Sequence, residues 1–286
     1  MVRNLRTVHF TILIVKIYME KYDLIGQNYN ATRKADAFIV SRILHLLNCK
    51  KEDLILDVGC GTGNYTTEIS KNGFEITGLE PSKTMVEQAK SKNPDIQWIL
   101  GNAENLPFEN ESFNVVMATL TIHHWQNLEK GFSEIFRVLK DDGTFLIFTS
   151  TSEQMKNYWL NHYFPEMMQK SVAQMPSFSI IKEGLEKVGF EITETEKYLI
   201  KEDLQDKFLY IGKNNPEIYF DESIRKGISS FADLANKNEV EKGLKKLKND
   251  IDNDKFIEIK NQFNTEFGDY LFIKIKKNNA AKPRSG

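Results

Sequence analysis

The chain has 286 residues and a formal net charge of -2, with 41% hydrophobic and 27% charged residues. These values are typical of a globular protein with a substantial core. A chain this close to neutrality lacks the positive field of an obligate nucleic-acid-binding protein, so a nucleic-acid partner is not expected. Its two cysteines, Cys49 and Cys60, form neither a disulfide framework nor a zinc pattern, which favours a reducing, cytoplasmic location and no metal site.

The N-terminus carries an apolar stretch over residues 10–19 that is interrupted by Lys16. This stretch is shorter than the roughly 20 apolar residues that span a bilayer, and no A-x-A-like cleavage site follows it. We therefore predict no membrane span. Met19 is an alternative start, so the sequence leaves open whether residues 1–18 belong to the natural protein.

The first half of the chain alternates predicted helices and strands. Apolar residues at helical spacing predict a helix over 35–47, and Ser82 is the predicted N-cap of a helix over 83–90. Further helices are predicted over 65–71 and 128–139. Strands alternating with helices predict a mostly parallel, doubly wound α/β sheet of the Rossmann-like kind. The predicted strands of this half are 54–58, 74–79, 96–100, 113–118 and 144–149.

The second half is more helical and more polar. Helices are predicted over 158–174 and 180–188, and strands over 190–200 and 270–275. We expect these strands at the edge of the sheet, separated by a helical insertion over about 202–263 that caps the site. The predicted division is an N-terminal extension and lid segment (1–34), an α/β core (35–150), edge strands with the helical cap (151–275) and a tail (276–286).

The chemistry is indicated by the turn after the first strand, where Gly59, Gly61 and Gly63 alternate with other residues. Glycines suit a sharp turn at which a ligand lies against the main chain. Seventeen residues after Gly63, Glu80 ends the second strand, where a carboxylate can accept hydrogen bonds from both hydroxyls of a ribose. The Gly-x-Gly-x-Gly spacing is one residue tighter than the dinucleotide fingerprint, so the pattern favours a nucleoside without a pyrophosphate.

Residues 22–149 resemble the class I S-adenosylmethionine (SAM)-dependent methyltransferases. The resemblance rests on five segments in order, namely 57–63 (DVGCGTG), 78–82 (GLEPS), 101–108 (GNAENLPF), 113–125 and 136–144 (FRVLKDDGT). It implies SAM as cofactor, S-adenosylhomocysteine (SAH) as product, and a methyl acceptor of unstated identity. The cofactor-binding positions that it implies are Asp57, Gly59, Gly61, Gly63, Glu80, Pro81, Met85, Asn102, Ala103 and Thr119.

The resemblance also implies roles for some of these residues. The three glycines would lie under the amino-acid part of SAM, Glu80 would hold the ribose, and Met85 would pack near the adenine. Asn102 stands where many relatives carry an adenine-binding acid. An amide oxygen can still accept a hydrogen bond from the adenine amino group.

The loop after the fourth predicted strand contains His123, His124 and Trp125. Either histidine is a candidate general base for an acceptor that must lose a proton, with His124 preferred. Adjacent side chains point in different directions, so we expect only one histidine to reach the site. The loop has no Asn/Asp-Pro-Pro-Tyr-like sequence, which argues against methylation of a nucleobase.

The acceptor side is less clearly indicated. Tyr22, Tyr29, Arg33 and Trp125 are candidate substrate contacts, and Arg33 can grip a carboxylate with two hydrogen bonds. Aromatic residues of the second half suggest an apolar acceptor pocket, namely Tyr158, Trp159, Tyr163, Phe164 and Phe231.

Several functions remain open from the sequence. The preferred one is a methyltransferase acting on a small molecule at an oxygen, nitrogen or carbon atom. The alternatives are an RNA or protein methyltransferase, a non-catalytic SAM-binding regulatory protein and a dehydrogenase. The sequence does not indicate the oligomeric state.

Overall fold

The computed structural model describes residues 33–263 and 266–278. Seven strands form one sheet in the order β3-β2-β1-β4-β5-β7-β6. The first five strands are parallel, and β7 is antiparallel to both β5 and β6. This confirms the predicted Rossmann-like, mostly parallel α/β fold. The strands are β1 (Leu54–Val58), β2 (Glu75–Glu80), β3 (Gln97–Leu100), β4 (Phe113–Thr119), β5 (Leu139–Thr149), β6 (Phe190–Tyr198) and β7 (Tyr270–Lys277).

Helices connect the strands and cover the sheet. In chain order they are α1 (Ala37–Leu47), α2 (Asn64–Lys71), α3 (Lys83–Lys92), α4 (Leu128–Val138), α5 (Ser152–Lys156), α6 (Leu160–Tyr163), α7 (Pro165–Gln174), α8 (Phe178–Lys187), α9 (Glu222–Lys226), α10 (Lys237–Asp252) and α11 (Phe256–Asn261). Single turns of other helix types occupy Ile122–His124, Pro216–Phe220 and Ser230–Leu234.

The sheet separates two hydrophobic clusters because successive strand residues face opposite sides. Ile55 belongs to the cluster that contains α1 and the late helices, whereas Leu56 belongs to the cluster that contains α4 and α8. Leu146 and Ile147 of β5 alternate in the same way. Both faces of the central strands are therefore buried, which explains why these strands have near-continuous apolar sequences.

The strand order places a crevice at the carboxyl ends of β1 and β4. The chain passes from β1 outward to β2 and β3, and then returns to the other side of β1 for β4 and β5. The helix that follows β1 and the helix that follows β4 pack on opposite faces of the sheet. The loops after these two strands therefore diverge and leave a crevice between them. The functional residues predicted after β1, β2 and β4 consequently come together at one edge of the sheet.

One predicted helix differs from the structure. The region 158–174 contains two helices, α6 and α7, separated at Phe164. Pro165 is the first residue of α7. Proline is well accommodated at that position but cannot continue a preceding helix, since it has no N–H to donate.

The segment between β6 and β7, residues 199–269, contains α9, α10 and α11, and we call it the β6–β7 insertion. Residues 264 and 265 of it lie outside the described ranges. Asp36 joins the insertion to α1, since one carboxylate oxygen caps the N–H of Ile39 and the other accepts from the N–H of Gln205 at 3.0 Å. Within the described ranges, no helix combines the length and apolar character needed to cross a bilayer.

Candidate functional site

A cavity of about 620 Å³ opens at the carboxyl ends of β1, β2, β3 and β4, and we call it the central cavity. Its volume lies in the range of pockets that hold drug-sized ligands and cofactors. Eight residues predicted to contact the cofactor line it, together with three of the other candidates. The eight are Gly59, Gly61, Glu80, Pro81, Met85, Asn102, Ala103 and Thr119, and the three are Arg33, His124 and Trp125.

The glycine turn is tied to the end of β2. The carbonyl of Leu79 accepts from the N–H of Gly59 at 2.7 Å and from that of Cys60 at 3.1 Å. Gly59 has a φ of +75°, and a Cβ atom there would lie 2.0 Å from Oγ1 of Thr121. Only glycine therefore allows the loop after β4 to approach the turn this closely.

Gly61 and Gly63 have different surroundings. A Cβ atom at Gly61 would meet no heavy atom within 4 Å, because the main chain there faces the central cavity. A Cβ atom at Gly63 would lie 2.2 Å from the ring of Trp98. Gly63 does not line the cavity, so it makes room for the packing of Trp98 beneath the turn.

Glu80 connects the glycine turn to the start of α3. Its Oε2 accepts from the N–H of Gly61 at 3.0 Å, and its Oε1 accepts from the N–H of Ser82 at 3.0 Å. Ser82 in turn caps α3 by accepting from the N–H of Met85, as predicted. Glu80 also lines the central cavity, and a carboxylate is a hydrogen-bond acceptor for ligand hydroxyls.

Asp57 lies behind the turn rather than in the lining of the central cavity. It is 1% exposed, and Thr66 donates a hydrogen bond of 2.6 Å to its Oδ2. Its Oδ1 has no partner in the part of the chain that the structure describes. Burial raises the pKa of Asp57 to about 7, and the hydrogen bond from Thr66 opposes the shift.

Part of the lining of the central cavity is apolar, and we call it the apolar wall. Leu79, Met85, Leu100 and Ala103 contribute to it. Asn102 lies at its exposed edge, where its carbonyl accepts from the N–H of Asn105. This wall offers a flat aromatic group an apolar surface with an amide at its rim.

The loop after β4 forms the opposite side of the cavity. Leu120 has a φ of +54°, a region in which residues with a Cβ are strained and which is often found at functional sites. Its N–H donates to the carbonyl of Phe148 at 2.7 Å, which holds the strained residue against β5. The single turn Ile122–His124 follows.

The two histidines lie in contact, and only one of them reaches the central cavity. Their ring centroids are 3.8 Å apart. His124 lines the central cavity and His123 does not. Burial, with a smaller contribution from the positive charge of Arg33, lowers the pKa of His123 to about 4. His123 is therefore neutral near pH 7 and is a weak base.

Trp125 and the residues after it are positioned from the loop after β3. The carboxylate of Glu104 accepts from the N–H of Gln126 at 2.7 Å and from that of Asn127 at 3.2 Å. The ring of Trp125 packs edge-on against Phe132. Two loops that each line the cavity are thus joined by one carboxylate.

Arg33 meets a carboxylate of the protein. Its Nε and Nη2 both donate to Asp206 of the β6–β7 insertion, and Tyr65 of α2 donates to Asp206 at 3.1 Å. The carbonyl of Arg33 accepts from Asn64 at 3.1 Å. The start of the described chain, the start of α2 and the insertion therefore meet beside the central cavity.

Three further residues of the central cavity come from parts of the sequence without a recognisable motif. Asp206, Tyr65 and Ser229 line the cavity although no short motif marks them.

Tyr22 and Tyr29 lie outside the described residues. Five aromatic residues expected to form an acceptor pocket do not line the central cavity and instead belong to the buried core, namely Tyr158, Trp159, Tyr163, Phe164 and Phe231. Among the described residues, no three His, Cys, Asp or Glu side chains are arranged to hold a metal ion.

Comparison with known proteins shows which family the chain resembles. A family model described as a methyltransferase domain matches residues 56–147. The Bacillus subtilis protein named uncharacterized methyltransferase YcgJ is 32% identical over 41% of this chain, and the chain spans only 44% of its length. Demethylmenaquinone methyltransferase of Chlorobaculum tepidum is 31% identical over 52% of this chain and 69% of its own.

A solved structure is similar over a longer region. It is described as a proposed methyltransferase from an antibiotic biosynthesis pathway of Anabaena variabilis. It is 35% identical, with a TM-score of 0.75, over 85% of this chain and 98% of its own. With the sheet order and the glycine turn, these similarities show that the chain belongs to the class I SAM-dependent methyltransferases.

Proposed function

We propose that this methyltransferase transfers the methyl group of SAM to a small organic molecule that binds beneath the β6–β7 insertion. One observation carries the proposal, namely that the insertion supplies Asp206 and Ser229 to the lining of the central cavity. The acceptor site is then an interior space and suits a small molecule. The Chlorobaculum tepidum relative, whose name states a demethylated menaquinone as its substrate, supports this class of acceptor.

The residues of the central cavity fit SAM in size and chemistry. The apolar wall of Met85 and Leu100 suits the adenine, and the carboxylate of Glu80 suits the two ribose hydroxyls, which are hydrogen-bond donors. Gly61 lines the cavity and has no heavy atom within 4 Å of where a Cβ would stand, which offers room for the amino-acid part.

SAM supplies an electrophilic methyl on a sulfonium, which leaves with its bonding pair as neutral SAH when the acceptor atom attacks. The protein must hold the acceptor in line with that methyl, and this positioning is the main part of the catalysis. Leu120 and His124, on the loop after β4, line the space in which the acceptor lies. His124 is the proposed base where the acceptor atom must lose a proton.

A macromolecular acceptor has less support. The basic residues of α10 are Lys242, Lys245, Lys246 and Lys248, and none of them lines the central cavity. Lys248 pairs with Asp252, and Lys246 donates to the carbonyl of His162. These lysines belong to a solvated helix face with mixed charges.

The test is transfer of a radiolabelled methyl from SAM to the separated small-molecule, RNA and protein fractions of one cell extract. We expect label in the small-molecule fraction with the wild-type protein, and a large loss with His124→Ala. His45→Ala, an exposed histidine on α1, is the matched control and should label as wild type does. Label only in RNA or protein would contradict the proposal. SAH binding without labelling of any fraction would instead indicate a non-catalytic SAM-binding protein.

A further inference from the structure

A second, smaller space of about 80 Å³ adjoins the central cavity, and we call it the side cavity. Four residues line both spaces, namely Arg33, Leu120, His124 and Ser229. The side cavity is otherwise formed by residues from separate parts of the chain. These are His123, Ser150, Met155, Ser171, Gln174, Met175, Phe208, Leu209, Ile228, Ser230 and Tyr270.

Two buried polar atoms in the residues around this space have no hydrogen-bond partner. They are Oγ of Ser171, on α7, and Nδ1 of His123, and the statement covers the described part of the chain. Ser171 is only 2% exposed. Buried polar groups are almost always paired, and an unpaired one is costly. Two such atoms around one cavity indicate that a polar ligand group completes their hydrogen bonding.

The charges around the side cavity restrict the ligand group. No aspartate or glutamate lines it among the described residues, so an ammonium group would find no counter-ion there. Arg33 lines it, but its guanidinium donates to Asp206 through two nitrogens. Burial keeps His123 neutral near pH 7, because its pKa is lowered to about 4. The surroundings thus favour a neutral polar group over a cation or an anion.

The size of the side cavity and its apolar lining restrict the ligand group further. A space of about 80 Å³ holds a functional group of a few atoms, since one water needs at least about 10–15 Å³. Six apolar side chains flank the polar atoms, namely Leu120, Met155, Met175, Phe208, Leu209 and Ile228. The group therefore belongs to an apolar molecule whose larger part lies in the central cavity.

We propose that the side cavity is a recognition subsite for a neutral hydroxyl or carbonyl oxygen of the methyl acceptor, with Ser171 and His123 as its specificity-determining residues. The proposal rests on the proposed function. A hydroxyl donates to Nδ1 of His123 and accepts from Ser171, whereas a carbonyl accepts from both side chains. The oxygen bound here is an anchor at the end of the acceptor away from the methyl donor.

The experiment uses the full chain labelled with carbon-13 at the methionine methyl groups. Met155 and Met175 line the side cavity, and their NMR signals are assigned with Met155→Leu and Met175→Leu. Four probes of similar size are titrated, namely phenol, cyclohexanone, benzoate and benzylamine. We expect phenol and cyclohexanone to shift both signals, and the two charged probes to bind at least about tenfold more weakly.

Ser171→Ala should weaken phenol binding about fivefold, which is the loss expected for one neutral hydrogen bond. It should not lower the unfolding midpoint, because it removes a hydroxyl that has no partner among the residues that the structure describes. His123→Leu gives a second, independent loss of phenol binding. The matched control is Ser91→Ala, an exposed serine of α3, which should bind phenol as wild type does.

The proposal is overturned if Ser171→Ala binds phenol like wild type, if benzylamine binds best, or if no probe shifts the two methionines. SAH binding and methyl labelling are measured separately on the same preparation. Labelling of a small molecule without these probe effects removes the subsite but leaves the proposed function standing. Probe binding as expected, with no small molecule labelled, would contradict the proposed function and leave the side cavity as a binding site for a neutral oxygen.

Discussion

The proposed cofactor half and the proposed acceptor half of the site are built in different ways. The cofactor half is local, since the glycine turn and Glu80 lie on β1, β2 and the segment between them, and the backbone N–H groups of Gly59 and Cys60 hold it together. The acceptor half draws on distant parts of the chain, since Arg33 pairs with Asp206 and lines the side cavity together with Ser171. Short motifs therefore mark the first half and leave the second unmarked.

This difference predicts different responses to substitution. A backbone turn that admits only one residue type should fail abruptly when a side chain is added. A space assembled from separate helices and loops should adapt, so that single changes alter affinity or specificity by modest factors.

Gly59→Ala should have the largest effect. Its Cβ atom would lie 2.0 Å from Thr121 Oγ1, at a φ of +75°, so the loop after β4 must move. We expect a loss of more than about 3 kcal/mol in the free energy of unfolding, measured in urea, and no detectable SAH binding. Gly61→Ala is the matched control, because its Cβ atom meets nothing within 4 Å. It should lose only about 1 kcal/mol, the penalty of a positive φ.

Equal losses in the two glycine variants would contradict this account of the turn. So would a Gly59→Ala protein that retains wild-type SAH affinity, since the central cavity could then tolerate displacement of Thr121.

Asp57→Asn should change how stability depends on pH. The pKa of Asp57 is raised to about 7 by burial, whereas an unfolded aspartate titrates near 3.9. The native state therefore holds a proton that the unfolded chain has lost between about pH 4 and pH 7, and wild-type stability falls as pH rises through that window. The variant has no such loss, so its stability relative to wild type should rise by about 2 kcal/mol between about pH 5 and pH 8. A stability difference in urea that is independent of pH would contradict this.

Asp206→Asn tests the contact between the two halves. Asp206 accepts from Arg33 and from Tyr65, and the Arg33 and Asp206 side chains are 11% and 2% exposed. Loss of the charge leaves a largely buried guanidinium without its partner, which should lower the free energy of unfolding by about 2 kcal/mol. Arg33→Met with Asp206→Asn should recover part of that loss. If the double variant loses the sum of both single losses, the pair is not coupled.

Lys92→Met should have the smallest effect. Nζ of Lys92 donates to the carbonyl and Oγ1 of Thr62 and to Oδ1 of Asn64, so it supports the glycine turn from the outside. These hydrogen bonds are near solvent, and their loss should cost about 1 kcal/mol and weaken SAH binding by less than about tenfold. Abolished SAH binding would mean that the turn depends on its surroundings more than on its own backbone.

The sequence predicted the sheet well and the site unevenly. β1 and the N-cap Ser82 agree with the structure, because alternation and capping are local properties. The break at Phe164 was missed because the aromatic spacing over 158–174 suits a helix despite Pro165. The pairing of Arg33 with Asp206 crosses 173 positions, and no local pattern reports such a contact. The buried hydroxyl of Ser171 likewise indicates a ligand contact only once the structure shows that it has no hydrogen-bond partner among the described residues.

The most direct test of the cofactor site is calorimetric titration with SAH of the wild-type protein, Glu80→Ala and Glu87→Ala. Glu87 is an exposed residue of α3 that pairs with Lys83, so its loss controls for charge. We expect the wild type and Glu87→Ala to bind equally, and Glu80→Ala to lose a few kcal/mol, at about 1.5–3 for each hydrogen bond to a charged group. Wild-type affinity in a folded Glu80→Ala protein, or no SAH binding by the wild type, would contradict the account.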